Sequence, residues 1–253
     1  MQHLVAYSGG LGSFEVTRLL VQKYRLDSIT AVFTDTLTED EDLYRFLTDT
    51  IAYLGCQFVH LADGRNIWDV FESVRFMGNS RIDPCSKHLK REMFRKYLVE
   101  HWPNASEVTL YYGIQEHEKH RITSIRDRWA PYCVEAPLIA LGTTKEEMQH
   151  TLAEVGIVLP RLYELGFEHN NCGGFCVKTG QRQMAQLLKT LPERYRWHEE
   201  RQERLFNNIG PHGFIRKTVK GELHYLSLKE FREMVEAGEQ VQMFQDGGCG
   251  CFT

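Results

Sequence analysis

The stretch His169-Asn170-Asn171-Cys172-Gly173-Gly174-Phe175-Cys176 sets two thiols four positions apart with two glycines between them. Small residues there leave room for a bulky inorganic group and for backbone N–H bonds to its sulfur. Cys85 follows Pro84 and opens the basic run Ser86-Lys87-His88-Leu89-Lys90-Arg91. A cysteine at a helix start beside lysines takes on thiolate character, which suits a metal ligand or a nucleophile equally. Cys85, Cys172 and Cys176 together form a candidate metal site. Three thiolates would hold a [4Fe-4S] cluster with one iron left open to substrate or sulfide. Zinc held by cysteine and histidine is the runner-up, and a redox thiol pair is a third option. Cys249-Gly250-Cys251 lies in a glycine-rich tail. Cys249 and Cys251 are candidate catalytic thiols that carry sulfur or resolve a disulfide, or they supply a further cluster ligand; an inert end is the alternative. Cys56 and Cys133 stand alone in apolar runs and are expected to be small buried side chains.

A second kind of chemistry is written in Tyr7-Ser8-Gly9-Gly10-Leu11-Gly12-Ser13. Glycines let the backbone approach an anion, and a helix start offers unpaired N–H groups with a favourable dipole. Ser8, Gly9, Gly10, Gly12 and Ser13 are therefore candidates to cradle phosphate, the alternative being a turn with no ligand. The lysine of a Walker loop is absent. Further on, Thr34-Asp35-Thr36 closes a second apolar run. Ligands of open parallel sheets sit beyond the carboxyl ends of the strands. Asp35 is thus placed to meet Mg²⁺ or a ribose, with Thr36 beside it, while the acidic residues 40–42 cap a helix. Lys87 and Lys90 are candidates to balance phosphate charge, against the alternative of a solvated basic face. His117, Glu118, His120 and Arg121 follow a fourth apolar run and have the types to position phosphates or move protons; Arg121 joins Asp35 as a catalytic candidate.

The elements that must position these groups read as strand–helix–strand units over the first 140 residues. Apolar runs at 3–7, 28–33, 57–61, 108–113 and 132–135 predict five strands. Helical spacing predicts helices over 14–24, 40–54 and 87–101. The expected fold class is α/β: a doubly wound, mostly parallel five-stranded sheet in residues 1–140, followed by a mainly helical, cysteine-containing extension in 141–253 that packs on it. In the extension, helices are expected over 143–155, 180–190, 192–207 and 228–236, with a hairpin over 213–226 turned at Lys220-Gly221. The length of 253 residues, 42% hydrophobic and 25% charged content describe a globular chain rather than a disordered or fibrous one. The net charge of −4 argues against binding nucleic acid by bulk charge. An odd cysteine count of seven argues against a disulfide framework. No spanning apolar run and no basic–apolar leader are visible, so no membrane association and a cytoplasmic location are expected.

On these segments the chain resembles the PP-loop, or adenine nucleotide α-hydrolase-like, superfamily, and within it the phosphoadenosine phosphosulfate (PAPS) reductase branch. The resemblance spans about residues 3–200 and rests on the 7–13 loop, the 33–39 strand end, Pro84-Cys85-Ser86 with Lys87 and Lys90, and the 113–121 segment. The run from Gly156 through Pro160, Tyr163, Asn170 and Cys172 to Cys176 looks like a motif of uncharacterised members. The resemblance implies a five-stranded parallel core binding ATP or an adenosine phosphosulfate. Members that use ATP adenylate a substrate before sulfur or nitrogen attacks. Two departures stand out. Leu11 and Gly12 replace the lysine and aspartate of SGGKDS, and the ECGxH tail of the assimilatory reductases is absent. The leading expectation is an ATP-binding enzyme that adenylates a nucleobase or nucleic-acid acceptor and delivers sulfur at an iron–sulfur cluster. It would draw on a sulfur donor or thiol reductant and could work as a homodimer. A PAPS-type sulfonucleotide reductase and a non-catalytic nucleotide-sensing module are the alternatives.

Overall fold

The computed structural model describes residues 1–79 and 81–241. Cys249 and Cys251 lie outside the described residues. The chain runs through β1 (Gln2–Ala6), α1 (Leu11–Lys23), β2 (Ile29–Asp35), α2 (Glu41–Leu54), β3 (Gln57–Ala62) and α3 (Ile67–Val74). A π-helical stretch (Ser86–Glu92) then leads directly into α4 (Met93–His101), followed by β4 (Val108–Tyr111), α5 (Ile122–Trp129) and β5 (Cys133–Glu135). Beyond the sheet come α6 (Pro137–Leu141), α7 (Lys145–Glu154), α8 (Arg161–Glu164), α9 (Gln181–Thr190), α10 (Pro192–Ile209), β6 (Ile215–Val219), β7 (Glu222–Leu226) and α11 (Leu228–Glu236).

Five strands form one sheet in the order β3-β2-β1-β4-β5, and every pairing is parallel. Every residue of β2 is buried, as expected of a strand covered on both faces. Successive side chains alternate between two cores. Val5 and Tyr7 of the first strand region, with Ala31 and Phe33 of β2, pack under α1, α2 and α7. Leu4, Ala6 and Val32 pack under α4 and α5. That alternation is the period of two that a strand imposes. A third core gathers Trp68 and Phe71 of α3, Leu89, and residues of α9, α10, β6 and α11. The segment after residue 140 therefore packs in two places: Met148 and Leu152 of α7 join the sheet core, and the later helices join α3.

The expected elements are present with ends shifted by a few residues, and the hairpin turns at Lys220 (φ 51) and Gly221 (φ 86). Four short helices went unread: α3, α5, α6 and α8. The start of α3 is marked in the sequence by a capping box, Asn66 with Asp69. Cys56 is buried as expected, whereas Cys133 is exposed. On the edge strand β5 only Val134 is buried, and Cys133 takes the opposite parity. No helix among the described residues is long and apolar enough to cross a membrane.

Candidate functional site

β1 lies between β2 and β4, so the loops following β1 and β4 are neighbours at the point where the sheet changes winding direction. Open α/β sheets place ligands in that crevice. There the chain makes its first helix with no side-chain cap: Gly10 is the N-cap of α1, and its first turn carries no acid. The backbone N–H of Leu11 is met by the hydroxyl of Tyr163 on α8, at 3.3 Å. Ser13 donates to the Gly10 carbonyl at 2.9 Å, and Ser8 donates to the Ser13 hydroxyl at 3.4 Å. Gly12 abuts Gly113 so closely that a Cβ at residue 12 would sit 2.5 Å from the Gly113 carbonyl oxygen. A side chain cannot stand there without moving the loop after β4. The absent aspartate of the loop is thus excluded sterically as well as missing.

The acidic groups around this turn are committed elsewhere. Asp35 is at the carboxyl end of β2, as expected, and 2% exposed. Its carboxylate accepts from Leu37 N–H at 2.7 Å, from Tyr44 O–H at 3.0 Å to each oxygen, and bonds His60 Nε2 at 2.9 Å. Burial, then the Asp35 charge, push the Tyr44 phenol well above its usual range, so the hydroxyl stays a donor. Asp40, fully buried, caps α2 and is gripped bidentately by Arg161 at 2.8 and 2.9 Å. Glu39 accepts from Thr36 at 2.9 Å and from the Cys172 N–H, and pairs with Lys90 at 3.6 Å. Asp35 thus stands at the expected strand end, with its oxygens accepting from donors of the chain itself.

The three predicted thiols come together. Cys85, Cys172 and Cys176 line one narrow pocket, with Lys90 and Lys178 also on its wall. Ile67, Phe71, Phe175 and Val177 supply apolar walls, and Thr36, Asp83 and Ser86 the polar ones. Lys90 Nζ stands 3.8 Å from Cys172 Sγ. It projects from the π-helical stretch, a distortion of the helical ladder often found at functional sites. Asp83 pairs with Arg91 at 2.9 Å and with Lys178 at 3.4 Å. Cys172 has a left-handed backbone (φ 50), a conformation a non-glycine residue holds only where its surroundings impose it. Those surroundings are visible: the Glu39 carboxylate takes its N–H, and Gly173 is wedged against Arg194 and the Thr38 carbonyl. Among the described residues no three of His, Cys, Asp or Glu are gathered closely enough to hold one metal ion.

Of the remaining candidates, Thr36 reaches the cavity wall. Lys87 does not: its side chain is 60% exposed and pairs with Glu92 at 3.8 Å. Arg121 is tied to Glu118 in the loop after β4 and is not part of the thiol cavity. Sequence reading missed Asn170, 1% exposed, whose amide donates to the Gly9 carbonyl at 2.9 Å. It also missed Arg161, Arg194 and the placement of Tyr163. Asn170 and Tyr163 stood within the quoted motif, but nothing in spacing tells which distant loop a side chain will reach.

No family model matches the sequence, and no curated protein matches it. Among solved structures the chain is similar to the phosphoadenylyl-sulfate (PAPS) reductase of Candida auris in its phosphate complex, at 13% identity. The match covers 66% of this chain and 80% of that one, with a TM-score of 0.47. The likeness is distant. The five-stranded parallel core that the PP-loop resemblance implies is nonetheless present in this chain's own strand pairing.

Proposed function

We propose that this chain is an enzyme of sulfur chemistry that binds an adenine nucleotide at the 8–13 turn and handles sulfur in the cavity of Cys85, Cys172 and Cys176. The observation that carries this reading is the physical link between the two places. Asn170 bonds the turn at Gly9, and two residues later the Cys172 N–H bonds Glu39, which also holds Lys90. Phosphate oxygens would take the N–H groups at the start of α1 with the helix dipole behind them, and Ser8 and Ser13 add hydroxyls. Lys90 beside Cys172 favours the thiolate form, the form that ligates or attacks.

The cavity suits a [4Fe-4S] cluster in its donor set: three thiols from two chain segments, apolar walls, and two lysines to offset the negative charge of a thiolate-bound cluster. Zinc on the same thiols is the runner-up, and metal analysis of the purified protein separates the two. When bound, the cluster would supply an open iron for a sulfur ligand. Lys90 and Lys178 would hold an anionic ligand near it, and the aromatic wall of Phe175 and Phe71 would limit water.

Iron and acid-labile sulfide in anaerobically purified protein, with the broad visible absorbance of sulfide-to-iron charge transfer, test the cluster directly. Both are expected in the wild type and in Cys133→Ser and to be lost in Cys172→Ser. A colourless, iron-free protein would remove the cluster from the proposal. A reductive reading, in which a thiol attacks the sulfur of an adenosine phosphosulfate and sulfite is later released, is favoured by the commitment of Asp35, Glu39 and Asp40 within the chain. Sulfite formed from PAPS and lost in Cys249→Ser and Cys251→Ser would select it.

A further inference from the structure

We infer that the nucleotide seat works without a divalent cation, taking its ligand as the metal-free polyanion. The inference rests on the proposed nucleotide site and concerns how that site meets the ligand's charge. A phosphate-bound Mg²⁺ is ordinarily tethered to protein by one or two carboxylates and keeps its remaining positions for water and phosphate. Here Asp35, Glu39, Asp40, Glu116 and Glu118 are each engaged by the chain. Asp35 is held by Tyr44, His60 and the Leu37 N–H; Glu39 by Thr36, Lys90 and the Cys172 N–H. Asp40 is held by Arg161, with Arg194 at 3.8 Å. In the loop after β4, Glu116 is paired with Lys119 and Glu118 with Arg121. The position where the loop aspartate of SGGKDS would stand is Gly12, pressed on Gly113. A cation brought in with the nucleotide would have to break one of these sets to find a protein ligand. What the seat offers a phosphate instead is neutral or partly positive: backbone N–H groups at the start of α1 and the hydroxyls of Ser8 and Ser13.

Calorimetric titration of the full chain with ATP and with ADP, in EDTA and in excess Mg²⁺, tests this. Binding is expected to be at least as tight in EDTA, and to weaken in Mg²⁺ as the nucleotide becomes complexed and less negative. Tightening by Mg²⁺ of roughly tenfold or more would overturn the inference and leave the nucleotide reading standing. Binding in neither buffer would overturn the nucleotide reading, and the inference with it.

Discussion

Two glycines meet where α1 begins, and their backbones are themselves the contact surface. A Cβ on Gly12 would lie 2.5 Å from the Gly113 oxygen, and one on Gly113 would lie 2.4 Å from the Gly12 carbonyl carbon. Gly12→Ala is therefore an overpacking substitution and should lower the unfolding free energy by about 1–3 kcal/mol. The double variant with Gly113→Ala should lose less than the sum of the two single changes, because both strain one contact. Denaturant titration of the three variants checks this; additive losses would mean that the two backbones do not meet. A different residue-scale balance operates at Lys90 and Glu39, whose side chains are 4% and 1% exposed at a separation of 3.6 Å. Removing one partner leaves an uncompensated buried charge, so Lys90→Met should destabilise by about 3–5 kcal/mol. Adding Glu39→Gln should restore part of that loss. A double variant no more stable than Lys90→Met would show that the charge is balanced by other groups.

Residues 161–176 act as a strap across the loops that follow β1 and β2. Arg161 fastens it to Asp40, Tyr163 to the start of α1, Asn170 to Gly9, and the Cys172 N–H to Glu39. Lys145 at the start of α7 lies 4.8 Å over the Tyr163 ring and steadies it from behind. The Tyr163 hydroxyl occupies an N–H that a phosphate would take, so the two compete. Tyr163→Phe should lower stability by about 1 kcal/mol yet tighten nucleotide binding by about 2–10-fold, the equivalent of one ordinary hydrogen bond. Opposite signs in thermal denaturation and in calorimetry are the expected signature; weaker binding would instead make the hydroxyl a ligand contact. The strap also marks the limit of what the chain's pattern disclosed. The five strands and the glycine turn after the first were legible because they depend on local period and residue type. The fasteners were not. Arg161 and Asp40 are 121 positions apart, as Asn170 and Gly9 are 161, and such pairings are set by tertiary packing. The same holds for Asp35, whose place at a strand end was legible and whose commitment to Tyr44 and His60 was not. Cys133 shows a smaller failure: on a half-exposed edge strand a shift of one residue in parity exchanges inside for outside.

At the scale of the whole molecule, the third core joins α3 to the later helices, and one histidine sits where they meet. His198 of α10 is fully buried, accepts the Trp68 indole N–H of α3 at Nδ1 (3.0 Å), and stacks on Phe175 with ring centroids 4.0 Å apart. Accepting at Nδ1 places the proton of the neutral ring on Nε2, a buried atom with no hydrogen-bond partner among the described residues. Burial, and then the nearby Arg194 charge, hold this ring well below the usual histidine range, so the folded protein keeps it neutral. The unfolded chain protonates the same ring near the ordinary value of about 6.5. Above that pH neither state gains a proton at this site; below it the unfolded state binds one more. Stability should therefore fall as the medium is acidified from about pH 6.5, by up to about 1.4 kcal/mol per pH unit for this group. His3, also lowered by burial, adds to the fall with the same sign. His198→Gln should remove the share of one proton from that slope, read by denaturant unfolding at a series of pH values below neutrality. A slope unchanged by His198→Gln would show that the ring is already charged in the fold, and that the junction between α3 and α10 is not what acid loosens.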